Sequence, residues 1–130
     1  MKSIEEIRNI FKDDRFALET GIVIDEVGEL YAKCSLKIED RHKNAMGGVM
    51  GGVSFTLADF AFAVAANHEE MRTVSMTSSI AFLGMAKGER LIAEARCVKN
   101  GRTTCYYTVS VTDELMNKVA EVTVTGFNKS

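Results

Sequence analysis

The stretch from Asn44 to Asn67 constrains this chain more than any other. It reads Asn-Ala-Met-Gly-Gly-Val-Met-Gly-Gly-Val-Ser-Phe-Thr-Leu-Ala-Asp-Phe-Ala-Phe-Ala-Val-Ala-Ala-Asn and carries a single charge, Asp59. Glycines crowd its front and apolar residues fill the rest. From Val53 to Ala66 the apolar side chains do not keep to one helical face. Leu57, Phe60, Ala61 and Val64 form a stripe, while Phe55, Phe62 and Ala66 lie off it. A helix that is apolar nearly all round is buried on most sides. A carboxylate inside such a helix is costly unless it is paired, hydrogen-bonded or protonated. Asp59 is therefore either a polar structural anchor or a functional group with a shifted pKa.

Gly47-Gly48 and Gly51-Gly52 precede the expected helix, where backbone can approach a ligand with no Cβ in the way. Free N–H groups at a helix N-terminus, aided by the macrodipole, favour a negative or partly negative oxygen. The pattern describes an N–H cradle at one end of a buried helix and a carboxylate about two turns further along. A tight turn with close packing would use the same glycines, and on the glycines alone that plainer reading is favoured.

With 130 residues the chain is long enough for one domain with a real core, spanning 1–130, and too short for two. A net charge of −2 gives no electrostatic case for nucleic acid. Cys34, Cys97 and Cys105 are an odd number without paired spacing, which fits a reducing compartment. His42 and His68 lie too far apart for a Cys/His zinc pattern, and no cofactor is called for. The N-terminus lacks the apolar core of a signal peptide. The central stretch is long enough to raise a transmembrane reading. Its glycine-rich end, Asp59 and the lack of basic flanks argue against one. The expectation is a cytoplasmic protein without a membrane partner.

Ser3 and Glu6 make a capping-box pattern ahead of Ile4, Ile7, Ile10 and Phe11, predicting a helix from Ile4 to Lys12. Phe16 to Glu19 adds a turn. Ile22 to Val27 is β-rich and Gly28 breaks it. Leu30 to Glu39 alternates, with Leu30, Ala32, Cys34, Leu36 and Ile38 on one face. After the central helix, Thr73 to Leu83 is β-rich, with Ser75, Thr77 and Ser79 placed on one face. Leu91, Ala93, Ala95 and Cys97 mark a further strand. Asn100-Gly101 is the strongest hairpin signal in the chain. Cys105, Tyr107, Val109 and Val111 mark the partner strand, and Ala120, Val122 and Val124 the last. An antiparallel sheet wrapped round one helix satisfies this α+β order. A chain this short can hardly surround that helix alone, so at least a homodimer is expected.

The segment His42-Lys43-Asn44-Ala45-Met46-Gly47-Gly48-Val49-Met50-Gly51-Gly52, followed by Leu57-Ala58-Asp59, resembles the signature of hotdog-fold acyl-CoA thioesterases. The resemblance is to the PaaI-like group of phenylacetate-pathway thioesterases and covers about residues 15 to 127. Ile80-Ala81-Phe82-Leu83, Gly88-Glu89-Arg90-Leu91 and Asn100-Gly101-Arg102 agree with it. One departure matters: the family's histidine before the second glycine pair is Met50, and a thioether donates no hydrogen bond.

The resemblance implies hydrolysis of an acyl- or aryl-acyl-CoA at a site across a dimer interface, in some relatives within a tetramer. Asp59 from one subunit would face Asn44 and Gly51 from the other. The Gly51 N–H, assisted by Asn44, would hold the thioester oxygen. Asp59 would act as general base or as nucleophile. Met50, Gly52, Ser75, Thr77 and His42 are the substrate-side candidates, with Ser75 or Thr77 placing the water. Phe55, Phe60, Phe62, Met46 and Met50 are the apolar groups near the site. Lys87, Arg90, Lys99 and Arg102 are candidates for the CoA phosphates. His68 is read as a cation near the helix C-terminus. The competing reading is a hotdog dimer that binds an acyl-CoA or other acyl ligand without cleaving it, and Met50 favours that reading. A dehydratase is disfavoured, because neither histidine has the required context.

Overall fold

A computed structural model describes residues 1–130. The alternating segments become six strands: β1 (Val23–Gly28), β2 (Tyr31–Lys37), β3 (Thr73–Phe82), β4 (Arg90–Asn100), β5 (Thr104–Asp113) and β6 (Lys118–Asn128). They form one sheet in the order β1-β2-β4-β5-β6-β3, and every neighbouring pair is antiparallel. Two short helices, α1 (Ile4–Ile10) and α2 (Arg15–Glu19), precede the sheet, and α3 (Gly51–Asn67) lies against its inner face. The Ser3–Glu6 capping box forms at the start of α1. No helix is long and apolar enough to cross a membrane.

Small residues make room for the helix. Ala32 pairs with Ala95, and Cys34 with Ala93, beneath α3. Their short side chains let Leu57, Phe60 and Val64 sink to full or nearly full burial. Phe60 meets Phe11 edge to face at 5.9 Å, and Phe62 meets Tyr107 at 5.2 Å. Phe60 and Phe62 are thus core residues and do not line a site. The helix is not enclosed all round. Gly52 and Asp59 are exposed, and Phe55, Thr56, Ala63 and Ala66 are only partly covered. These positions follow helical spacing and leave one open stripe.

Three boundaries differ from the sequence expectation. Gly51 and Gly52 are the first two residues of α3 and do not precede it. Gly28 ends β1 inside the pairing, and Leu30 makes the turn with a φ of 51°. The largest change is in β3. A bulge between Ser75 and Thr77 inserts Met76 and reverses the side-chain alternation. Ser75 stands opposite Gly126, on the inner face. Thr77 stands opposite Thr125, on the outer face. Ser75 and Thr77 therefore do not share a face, and Ser78, opposite the buried Val124, takes the next inner place.

The β3–β4 connection is held by two carboxylates from the β5–β6 turn. Buried Asp113 accepts from the backbone N–H groups of Lys87, Gly88, Leu115 and Asn117 and from the Asn117 amide. Glu114 accepts from the N–H groups of Glu89 and Arg90. Burial alone would raise the Asp113 pKa. The bonds from Asn117, Lys87 and Gly88 outweigh it and hold the carboxyl well below the usual range. A depressed folded-state pKa gives stability that is present above the unfolded value of about 4 and is lost as pH falls through the folded one. Asp113→Ala should lower the melting temperature at pH 7 more than Glu114→Gln does. The gap should narrow as the melts are repeated below about pH 4. A constant gap across that range would remove Asp113 ionisation from the account.

Candidate active site

The loop before α3 is built by hydrogen bonds from Asn44. Its N–H donates to the Gly48 carbonyl at 2.7 Å, and its Oδ1 accepts from the N–H groups of Met46 and Gly48 at 3.0 and 3.2 Å. Gly47 completes the turn at a φ of +86°, where a side chain would be strained. The Met50 N–H then donates to the His42 carbonyl at 2.9 Å, which sets the angle at which α3 begins. The Asn44 oxygen is thus committed to the loop, and the amide Nδ2 is its remaining donor.

Met50 is the N-cap of α3 and makes no side-chain capping bond. The Gly51 and Gly52 N–H groups find no acceptor within the chain. They are free donors at the positive end of a 17-residue helix. Phe82, from the inner face of β3, lies directly against Gly51. A Cβ on Gly51 would stand 2.8 Å from the ring. Met85 lies against Gly48 and Met50 against Gly52 in the same way. Glycine at the helix start thus allows the Phe82 ring to close in on the backbone beside the free N–H groups. Phe82 and Met85, neither singled out in the sequence, form the apolar wall beside those donors. Exposed Met46 and Met50 add to it.

Asp59 is open to solvent in the single chain, on the uncovered stripe of α3. The protein around it still removes enough water to push its pKa up, and repulsion from Asp14 adds to the shift. Asp59 follows Gly51 by eight residues. At 1.5 Å per residue that is about 12 Å along the helix axis.

Several expected contacts fall elsewhere. His42 is a buried structural post. Its Nδ1 accepts the Glu39 N–H at 2.9 Å, so the ring proton sits on Nε2, which donates to the Thr20 carbonyl at 2.7 Å. Neither nitrogen is left for a substrate. Thr77 faces outward, as described above. Ser75 keeps the inner face. Arg90 bonds the Ser35 hydroxyl at 2.7 Å and lies with Lys87 at the end of the sheet that carries Phe82. Lys99 and Arg102 lie at the opposite end, by the β4–β5 hairpin. The N–H groups of 87 to 90 are filled by Asp113 and Glu114, so that turn offers no phosphate nest.

A family model described as the thioesterase superfamily matches residues 46–120, which include the free helix start and Asp59. This chain belongs to the thioesterase superfamily. A putative esterase of Archaeoglobus fulgidus is 32% identical over 119 residues, covering 90% of this chain and 77% of the relative. The acyl-coenzyme A thioesterase PaaI of Escherichia coli is 29% identical over 121 residues, covering 92% and 86%. The solved structure of E. coli PaaI, from the phenylacetic acid degradation operon, superposes with a TM-score of 0.90 over 97% of this chain and 92% of that one, at 24% identity. The fold is the hotdog fold. A hypothetical thioesterase of Streptococcus pneumoniae, solved with coenzyme A, superposes with a TM-score of 0.82 at 27% identity, over 92% of this chain and 99% of that one.

The raised pKa of Asp59 has a consequence for stability. A carboxyl whose folded pKa is raised favours the folded state below its unfolded pKa. It loses that advantage as pH rises through the folded value. Asp59→Asn should therefore raise the melting temperature at pH 7, with the gain shrinking as the melts approach about pH 4. A variant less stable than wild type at pH 7 would mean that Asp59 is a structural anchor.

Proposed function

We propose that this thioesterase-superfamily chain hydrolyses acyl-CoA thioesters at a site shared between two copies. The observation that carries this reading is the separation of Gly51 and Asp59 on one rigid helix. An oxyanion donor sits about 3 Å from the carbonyl oxygen. A base must lie within about 3 Å of the water that attacks the same carbon, or one water further away. Groups about 12 Å apart along one helix are too far apart for the direct arrangement and would need a nearly straight chain through an extra water. The Gly51 N–H of one copy and the Asp59 of another meet it directly, if the open stripes of their α3 helices face each other. The long edge strand β3, which exposes Val74, Met76 and Phe82, supports such pairing. The match to proteins named acyl-coenzyme A thioesterase supports the substrate class.

In this mechanism the thioester carbonyl accepts from the Gly51 N–H and from Asn44 Nδ2. Asp59 of the other copy takes a proton from water as the water oxygen attacks the carbonyl carbon. The tetrahedral oxyanion is stabilised by the two donors. Its collapse breaks the C–S bond and releases CoA thiolate and the free acid. Direct attack by the Asp59 carboxylate gives an anhydride that water then opens, with the same donors in use. We assign the orienting of the water to Ser75, whose side chain is on the inner face. The acyl group lies along Phe82, Met85 and Met50, whose thioethers adapt to more than one shape.

Met50 supports one competing reading, a dimer that holds acyl-CoA without cleaving it, because its thioether supplies no donor at the N-cap. Thiol release from short, medium, long and aryl acyl-CoAs separates the two. Asp59→Asn should lower kcat by about 100-fold or more. Asn44→Ala should cost ~100- to 1000-fold. The acid limb of the wild-type kcat/KM profile should lie above the ordinary carboxylate pKa of about 4. No release from any acyl-CoA, with binding still seen by calorimetry, would establish the binding protein instead. Wild-type rates in Asp59→Asn would end the mechanism.

A further inference from the structure

The loop that leads into α3 flanks a cavity beside the oxyanion donors. Phe82 rests against Gly51 and Met85 against Gly48, so the two side chains follow the loop from the helix start toward Asn44. The cavity lies at the Asn44 end of that wall and measures about 160 Å³. Val49, Ala86 and Val119 give it apolar walls, and the thioethers of Met46 and Met85 flank it. Asn44 is its one polar side chain, and no charged side chain lines it.

Backbone fixes two of its sides. The N–H groups of Leu83 and Gly84 both donate to the Val119 carbonyl, at 2.9 and 3.3 Å. Gly84 is packed so closely on the Lys118 carbonyl that a Cβ would stand 2.9 Å from it. On the other side, the Asn44 bonds to Met46 and Gly48 hold the loop. These walls are formed before any ligand arrives, and the two methionines are the parts that can yield.

The position and lining say which part of a thioester belongs here. The Asn44 oxygen is taken up by the loop, so the amide Nδ2 is the donor left for a carbonyl. A carbonyl held there has its hydrocarbon at the mouth of the cavity. CoA phosphates do not suit it, because no cation lines the walls. A carboxylate at the far end of the acyl chain would lose its water with no charge to pair it. The volume sets the length, since an apolar cavity of roughly 150 Å³ holds one benzene ring.

We propose, on the acyl-CoA reading above, that this cavity receives the acyl end of the substrate and restricts it to short, uncharged groups of up to about six carbons or one aromatic ring. Ala86 and Met85 set the limit. Ala86 leaves the wall open by its small side chain, and Met85 closes the rim from its contact with Gly48.

Thiol release by the full chain from acetyl-, butyryl-, hexanoyl-, dodecanoyl- and succinyl-CoA tests this. Hexanoyl-CoA should exceed dodecanoyl-CoA in kcat/KM by about tenfold or more. Succinyl-CoA, with as many acyl carbons as butyryl-CoA, should be used about tenfold less well or worse. Ala86→Leu adds an isopropyl group at the wall and should lower the hexanoyl-to-acetyl ratio by about tenfold or more. Met85→Ala should shift the preference toward dodecanoyl-CoA. A wild-type preference for dodecanoyl-CoA would overturn the proposal. So would equal use of succinyl- and butyryl-CoA, or an Ala86→Leu variant that slows every chain alike. If no acyl-CoA releases thiol, or Asp59→Asn keeps the wild-type rate, the hydrolytic mechanism itself fails. The cavity is then decided by calorimetry with the same acyl-CoAs: tighter binding of hexanoyl- than of dodecanoyl- and succinyl-CoA sustains it, and equal affinities overturn it.

Discussion

A straight helix fixes the distance between the two groups to which we assign the chemistry. The free N–H groups of Gly51 and Gly52 lie at the start of α3, and Asp59 lies eight residues later. Neither can move toward the other without unwinding a helix whose buried side is packed across the sheet. The same rigidity makes each group useful. The N–H groups are aimed by backbone geometry, and the carboxylate is held on a face that a single chain leaves open. A helix with a covered stripe and an uncovered one is the core of one chain and, in the proposed dimer, its working surface.

The rest of the fold serves that helix. Ala32, Ala93 and Ala95 bring the sheet close enough to bury Leu57 and Val64 completely. The Asn44 turn and the His42 carbonyl fix where α3 begins. Asp113 and Glu114 hold the backbone of residues 87 to 90, two residues after Met85. That clasp stabilises the loop that carries part of the apolar wall, and Phe82 is brought onto Gly51 by the end of β3. The Met50 N-cap gives up the capping bond that Ser, Thr, Asp or Asn would make. The first N–H groups of the helix remain available as a result.

Much of this was legible before any coordinates. Alternation in β2, β4, β5 and β6 reports inner faces directly, because the side-chain period of a strand is two. The stripe of Leu57, Phe60, Ala61 and Val64 named the buried side of α3, and the glycine-rich start and Asp59 are the two poles of the site we propose. The misses share a cause. The bulge at Met76 changes neither composition nor local propensity, yet it turns Thr77 away from the helix. Phe82 and Met85 reach the site through strand pairing distant in sequence. His42 sits beside the motif, but its ring is consumed by Glu39 and Thr20, which no spacing rule reveals. The openness of Asp59 in a single chain was hidden because an apolar run does not say which side of the helix the same chain covers.

The central claim is that one site draws Asn44 and Gly51 from one chain and Asp59 from another. Subunit complementation tests it most directly. Asp59→Asn and Asn44→Ala chains, each nearly inactive, are given different tags, and the mixed dimer is purified and assayed for acyl-CoA hydrolysis. If the site is shared, the mixed dimer contains one intact site and recovers about half of the wild-type rate per dimer. If both residues served the same chain, every site in the mixed dimer would carry one defect. The rate would then stay at the level of the parents, and the shared site would be refuted.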